Sequence, residues 1–370
     1  MKIGFDAKRA VSNSTGLGNY SRFVISNLIK YYPDNIYRLF ISKLPKEDKE
    51  NEIKKDKTIY SLKNTKKPFW RTIGIIKNIK EESIDIYHGL SNELPFGIKK
   101  ANTKTIVTIH DLIFLRYPQF YPLIDRIIYN IKAKYACRIA DKIIAVSECT
   151  KNDIIKYYKI EPDKIEVVYQ GCFPLYKEKA DEIRKKEIKT RYNLPDNYLL
   201  SVGSIEERKN ILLILKALKQ IPEVHLIAIG KKKKYAEEVL HYAVENGLSN
   251  RVHLLSNIPL TDLPAIIQSC NIFIYPSLYE GFGIPIIEAL NSGVPVIGAT
   301  GSCLEEAGGP NTIYVNPVNE DDLAYQINRI QTDKTLRETM IKKGLEYVQR
   351  FSDKECTEAM MNVYKKLHHQ

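Results

Sequence analysis

Paired cysteines are the first thing this sequence lacks. Its six cysteines (Cys137, Cys149, Cys172, Cys270, Cys303 and Cys356) are dispersed through 370 residues with no CxxC spacing. That argues against a zinc site or a disulfide framework and suits a reducing compartment. No stretch approaches the roughly 18 apolar residues of a membrane span. Met1 to Ala7 read as a short strand, not as a charged leader with an apolar core, so the expectation is a cytoplasmic chain with no export signal. DxD, HExxH, Walker and nucleophile-elbow patterns are all missing. Without DxD neither a metal nor another cofactor is expected, and fixed cations with a helix terminus must carry any leaving-group charge.

The charge balance, +12, is the unusual bulk property. It points to an anionic membrane surface or a phosphorylated substrate. The lysines are spread along the chain, with one dense run at Lys231 to Lys234 that reads as a solvated face. No basic helix interleaved with aromatics and no RNP-type strand accompanies them, so nucleic acid is not expected as a partner.

Length fits two domains. β-rich apolar runs alternate with amphipathic stretches of helical length, the pattern of parallel α/β sheets. In the first half, strands are predicted at Lys2–Asp6, Lys104–His110, Lys142–Ser147 and Lys164–Tyr169, with helices at Tyr20–Tyr31, Pro122–Ile139 and Glu148–Tyr158. From Gly171 to Pro195 the chain turns charge-dense, and the alternation restarts at Tyr198. The expected organisation is therefore a domain over 1–175, a linker region over 176–197 and a second domain over 198–351. The fold class is α/β, two Rossmann-like doubly wound domains facing an inter-domain cleft. Ligands of such sheets sit at the carboxyl ends of strands.

The strongest local feature is Glu280-Gly281-Phe282-Gly283-Ile284-Pro285, which follows the predicted strand Ile272–Tyr275 and opens a short helix. Glycines let backbone N–H groups approach a ligand, and a helix N-terminus adds positive potential, so the pair makes an anion site. Glu280 before the loop and Glu288 inside the helix can each accept from a vicinal diol, as on a ribose or a hexose. A Glu among Ile286, Ile287, Ala289 and Leu290 is costly to bury without a partner.

A second feature, Gly203-Ser204-Ile205-Glu206-Glu207-Arg208-Lys209, follows the first strand of the second domain. Arg208 and Lys209 there can neutralise a diphosphate while charge builds on it during bond cleavage. In the first domain His110-Asp111 ends an apolar strand, placing His110 to contact a donor sugar or to orient an acceptor. His88 stands at a neighbouring strand end. Gly16-Leu17-Gly18-Asn19 follows the first strand as a partial glycine-rich turn, without the third glycine of a dinucleotide fingerprint.

These segments resemble the GT-B-fold retaining glycosyltransferases of family 4, in particular bacterial mannosyltransferase-like members. Glu280 to Glu288 matches the E-x7-E motif, and Val202 to Asn210 the Gly-Thr-x-Glu-Pro-Arg-Lys-Asn segment. Thr108 to Leu112 with Arg116-Tyr117-Pro118, Ala145 to Glu148 and Val167 to Tyr169 match first-domain signatures. The resemblance implies a nucleotide diphosphate sugar donor, best read as GDP-mannose with UDP-sugars open. It also implies a glycan or lipid-linked acceptor of cell-surface polysaccharide synthesis, and peripheral contact with the inner face of an anionic membrane.

By the same resemblance Lys209 and Arg208 hold the donor phosphates, with Gly203 and Ser204 beside them, and Glu288 holds the ribose. Glu280 and the amides of Phe282, Gly283 and Ile284, with Gly281, hold the sugar and distal phosphate. His110 lies beside the reacting carbon. Gly16, Gly18, Asn19, His88 and Asp111 stand on the acceptor side, and a final helix over 352–370 crosses back onto the first domain.

The sequence departs from the pattern at four places. Ser204 replaces an arginine found in some relatives, Glu207 replaces a proline, Ser302 to Glu306 lacks Leu-Pro-Glu, and Asp353 replaces an aromatic. The rival readings are a nucleotide-sugar epimerase and a non-catalytic nucleotide-binding or polyanion-binding protein.

Overall fold

A computed structural model describes residues 1–13, 16–41, 60–62 and 69–369. The chain divides into two compact units, Met1–Gly171 with Phe351–Gln370, and Cys172–Arg350. Residues 176–197, read from the sequence as a connecting segment, lie within the second unit. There Asp262 accepts from Arg184 at 2.5 Å, Arg191 at 3.0 Å and Tyr192 at 2.5 Å. These bonds tie the helix Glu182–Arg191 to the start of the helix Leu263–Gln268.

The first unit holds a sheet built from β1 (Lys2–Asp6), β2 (Ile36–Ile41), β3 (Tyr60–Leu62), β4 (Ile86–Gly89), β5 (Lys104–Ile109), β6 (Lys142–Ala145) and β7 (Ile165–Val167). Its order is β3-β2-β1-β4-β5-β6-β7, and every pairing is parallel. The strands are near-continuous apolar runs because helices cover both faces. The helix Asp353–His368 packs against the helix Gly16–Tyr31, burying Met360, Met361 and Tyr364. Its start is fixed by Ser352, whose hydroxyl accepts from the Glu355 N–H.

The second unit repeats the plan with β8 (Tyr198–Val202), β9 (His225–Ile229), β10 (Val252–Leu255), β11 (Ile272–Tyr275), β12 (Val296–Ala299) and β13 (Ile313–Val315), ordered β10-β9-β8-β11-β12-β13. These strands are also parallel. The helix Ile211–Leu218 buries Leu213, Ile214 and Ala217 in a core shared with Leu226, Ile274, Ile297 and Ile327.

In each sheet the chain reverses its direction of travel beside the first strand. This leaves a crevice at the carboxyl ends of β1 and β4 in one unit and of β8 and β11 in the other. Two doubly wound units in sequence are the GT-B architecture. Sequence reading missed β2 and β3; the residues that join them, 42–59, lie outside the described residues.

Candidate active site

The second unit brings both of its sequence-predicted loops to the β8–β11 crevice. After β8 the chain passes Gly203, whose φ of 152° belongs to glycine. Close packing constrains the same turn: a Cβ on Gly230 would lie 1.8 Å from the Gly203 carbonyl oxygen. A 3-10 turn, Glu207–Lys209, ends at Asn210 in the left-handed region. The Asn210 amide donates to the Pro276 and Pro317 carbonyls at 3.2 and 2.8 Å. The Leu278 N–H donates to the Arg208 carbonyl at 2.9 Å, latching this turn to the loop after β11.

Glu280 sits at the centre of the resulting cluster. Its Oε1 lies 2.5 Å from Lys209 Nζ and 2.7 Å from Arg208 Nη1. Lys209 also donates to the Tyr275 hydroxyl at 2.6 Å and stands 4.8 Å from that ring's centroid. Arg208 donates to the Tyr279 carbonyl at 2.7 Å and to Glu206 at 2.9 Å. Glu206 is in turn paired with Lys233, so one lysine of the basic run buttresses the site.

The side chains of Arg208, Lys209 and Glu280 are only 13%, 11% and 11% exposed, so their charges act through little water. Burial raises the Glu280 carboxyl, but Lys209 and Arg208 outweigh it and hold the group at about 2. Burial lowers Lys209 against the pull of Glu280, whereas the carboxylates raise Arg208 despite its burial. Three cations, Arg208, Lys209 and Lys233, stand against two carboxylates, Glu206 and Glu280, which leaves positive charge to spare for an anion.

The Gly281–Gly283 loop leads into the helix Ile284–Asn291, with Pro285 in its first turn and no acidic side chain there. Among the described residues, the Gly283 and Ile284 N–H groups find no backbone carbonyl to donate to. Gly283 has φ 135°, and a Cβ there would come 3.1 Å from Ala307 and Leu304 side-chain carbons. The buried Cys303 thiol donates to the Glu280 and Phe282 carbonyls at 3.1 and 2.6 Å, fixing the loop from behind. Neither Cys303 nor Tyr275 was found from the sequence. The nearest signals were that Tyr275 ends a strand beside the glycine loop and that Cys303 precedes a short helix.

Glu288, one turn into the helix, faces the buried Tyr176. Burial pushes its carboxyl up to about 8, against a hydrogen bond from Tyr176. A carboxyl raised this way binds its proton more tightly folded than unfolded. Stability is therefore highest below the ordinary value of 4.5 and declines as pH rises through 4.5 to about 8. Glu288→Gln should remove about 1–2 kcal/mol of that decline, after allowance for the group's partial exposure. Thermal melts of the two proteins at pH 5 and pH 9 check this, and parallel pH curves would contradict it.

In the first unit His110 follows β5. Its Nε2 lies 2.9 Å from the Leu90 carbonyl, which can only accept, so Nε2 carries the proton and Nδ1 is the bare nitrogen. Burial lowers His110 to about 4, the Leu90 contact opposing and the charge of Arg9 adding to the shift. His110 is thus neutral near pH 7 and packs edge-on against Tyr20 at 4.6 Å. Asp111 accepts from the Ile113 N–H at 3.1 Å and lines a cavity of about 260 Å³ with Arg9, Asn92, Phe114, Tyr121 and Tyr129.

Gly16 opens its helix in an exposed position. Gly18 admits no side chain, because a Cβ would lie 1.9 Å from the Asn13 carbonyl oxygen. Asn19 accepts from Arg22 at 2.5 Å; Arg22 also donates to the Ala10 and Asn13 carbonyls, both at 2.8 Å.

His88 corrects the expectation that it faces an acceptor. It is fully buried, with Nδ1 2.7 Å from the Tyr364 hydroxyl and Nε2 2.8 Å from Thr108 Oγ1. Both nitrogens are spent inside the unit, and burial lowers the ring to about 3. Ser204, on the loop after β8, is partly exposed. Among the described residues no group of three His, Cys, Asp or Glu is placed to hold a metal ion, and no helix is long and apolar enough to cross a membrane.

Two doubly wound units, one carrying a cation-rich strand-end site, define a GT-B glycosyltransferase. Residues 25–172 match the family model "Glycosyltransferase Family 4" and residues 182–347 match "Glycosyl transferases group 1". The chain belongs to the family 4, group 1 glycosyltransferases, and it is a glycosyltransferase.

O-antigen chain mannosyltransferase B of Escherichia coli is 27% identical over 394 residues, covering 99% of this chain and 100% of that protein. The serotype-specific mannosyltransferase WbdA of Escherichia coli is 29% identical over 73% of this chain, which spans 34% of that longer relative. HepE of Anabaena, solved in complex with UDP, superposes with TM-score 0.77 at 17% identity, covering 99% and 100% of the two chains. Sucrose-phosphate synthase of Thermosynechococcus elongatus superposes with TM-score 0.77 at 21% identity over 99% of each chain.

Proposed function

We propose that this glycosyltransferase moves a mannosyl residue from GDP-mannose to a hydroxyl of a lipid-linked glycan in cell-surface polysaccharide synthesis, retaining the anomeric configuration. The observation that carries the donor half is the nearly buried Lys209–Glu280–Arg208 cluster beside the glycine loop. The mannosyl assignment follows the mannosyltransferase relatives.

In this reading the second unit holds the donor. Lys209, Arg208 and the loop amides take the diphosphate, with Gly203 and Ser204 alongside, and Glu288 takes the ribose hydroxyls. Glu280 binds the transferred sugar while positioning both cations. As the glycosidic bond breaks, the electron pair leaves with the phosphate oxygen, and the two cations stabilise that charge where water is scarce. The acceptor hydroxyl attacks from the leaving-group side and gives its proton to the departing phosphate, so no carboxylate base is required. The reaction runs without a metal. The first unit presents the acceptor through Asp111, the Gly16–Asn19 turn and neutral His110, which accepts a hydrogen bond on Nδ1. The +12 charge favours work at the cytoplasmic face of an anionic membrane.

UDP-sugars form the second reading, favoured by the neighbour solved with UDP and glucose. A thermal-shift screen of nucleotides and nucleotide sugars separates the two, because a ligand bound only to the folded state raises Tm by mass action. GDP and GDP-mannose should shift Tm more than UDP and its hexoses. The reverse ranking would transfer the assignment to UDP, and no shift from any nucleotide would remove the donor site.

A further inference from the structure

Thr108, in β5, and His110, just past its end, lie two positions apart, so both side chains leave the same face of the sheet. Tyr20, early in the helix Gly16–Tyr31, reaches both. Its hydroxyl stands 3.0 Å from Thr108 Oγ1, and its ring meets the His110 ring edge-on, at 87° and 4.6 Å between centroids. From Thr108 the contacts continue inward, 2.8 Å to His88 Nε2 and then 2.7 Å from His88 Nδ1 to the Tyr364 hydroxyl. Tyr364 belongs to the helix Asp353–His368. Tyr20, Thr108, His88 and Tyr364 are each no more than 1% exposed.

We propose that Tyr20 is a positioning residue for His110, held in place by this buried chain from the terminal helix. The role rests on the transfer reaction proposed above, in which the bare Nδ1 of His110 accepts a hydrogen bond. The bond from His110 Nε2 to the Leu90 carbonyl fixes the tautomer but leaves the ring free to swing about that contact. A perpendicular ring at 4.6 Å blocks the swing and sets where Nδ1 points. Misplacing such a group by about 1 Å costs on the order of a hundredfold in rate.

Each link holds the next. The Tyr20 ring is pinned at its far end by Thr108, whose own hydroxyl rotates to suit its partners and so needs His88 to fix it. Neutral His88 has one N–H and one bare nitrogen. With Tyr364 donating to Nδ1, Nε2 donates to Thr108; with Thr108 donating to Nε2, Nδ1 donates to Tyr364. Burial, with the charge of His110, lowers His88 to about 3, so the ring stays neutral and the links stay whole near pH 7. Apolar side chains would fill this space without the cost of burying polar groups. A satisfied polar chain in a low-dielectric core specifies one arrangement instead.

Four variants of the full chain test the proposal. Tyr20→Leu, which removes the ring, should lower kcat about a hundredfold, and Tyr20→Phe, which keeps it, should recover most of that loss. Tyr20→Phe and Tyr364→Phe should each lower kcat about fivefold, and the double variant by little more than either, because the second cut falls on a chain already broken. Nucleoside-diphosphate affinity should stay at the wild-type value in all four. Nitrogen NMR of the histidines reads the His110 ring without turnover, its signal assigned by its loss in His110→Gln. The wild type should show one state with Nδ1 bare, and Tyr20→Leu a mixture. A wild type without transferase activity would remove the function proposed above, while the NMR comparison would still decide the positioning role. Tyr20→Leu with an unchanged His110 signal and wild-type kcat would overturn it. Losses that multiply in the double variant, or a Tyr364→Phe protein with lowered Tm and full kcat, would overturn the part assigned to the terminal helix.

Discussion

Lys209→Ala should abolish nearly all transfer while leaving a folded protein. Lys209 Nζ contacts Glu280 at 2.5 Å and the Tyr275 hydroxyl at 2.6 Å. Its loss opens a small polar space but strands no charge, because Arg208 still faces Glu280 at 2.7 Å. Stability should therefore change modestly. In the proposed mechanism turnover depends instead on positive charge fixed where the leaving diphosphate gains negative charge, and removing one such group costs about two to three orders of magnitude in kcat. Steady-state rates with saturating donor, beside a melt of the same preparation, check this. A folded Lys209→Ala enzyme within a few-fold of wild type would end the assignment.

Glu280→Ala should behave in a contrasting way, with stability and turnover falling together. Its carboxylate is the shared partner of two cations, each with a side chain no more than 13% exposed, and removing it leaves Lys209 without a counter-charge and Arg208 with Glu206 alone. Breaking such a buried pair costs about 3–5 kcal/mol. The held carboxyl titrates at about 2, far below its ordinary value. Its stabilisation is therefore complete above that ordinary value and is lost only as pH falls through about 2. The deficit of the variant should accordingly be full at neutral pH. A nucleoside diphosphate supplies the missing negative charge and should raise the Tm of Glu280→Ala more than that of wild type. Melts with and without nucleotide measure the difference. Equal shifts would mean that Glu280 and the phosphates do not share the two cations.

How far the site could be read in advance follows from where its parts lie in the chain. Arg208, Lys209 and Glu280 are 71 or 72 positions apart, yet each loop directly follows a predicted strand, and parallel-sheet topology brings strand ends together. Their meeting was therefore legible. The helix after Gly283 was announced by Pro285 and a glycine turn. Tyr275, Cys303 and Tyr176 were not legible, because their roles depend on which face of a strand or turn packs against the loop, and no periodicity reports that.

His88 shows the same limit from the other side. It was placed at a strand end by the pattern, but its burial depends on Tyr364, 276 residues away, delivered by the helix Asp353–His368.

The central claim is that the β8–β11 crevice grips a nucleoside diphosphate through Lys209 and Arg208. Calorimetric titration of wild type and Lys209→Ala with a nucleoside diphosphate and its monophosphate tests it most directly. The wild type should bind the diphosphate at least about tenfold more tightly, a gap of about 1.4 kcal/mol, and the variant should lose most of that gap while its monophosphate affinity changes little. An undiminished gap in Lys209→Ala would contradict the account.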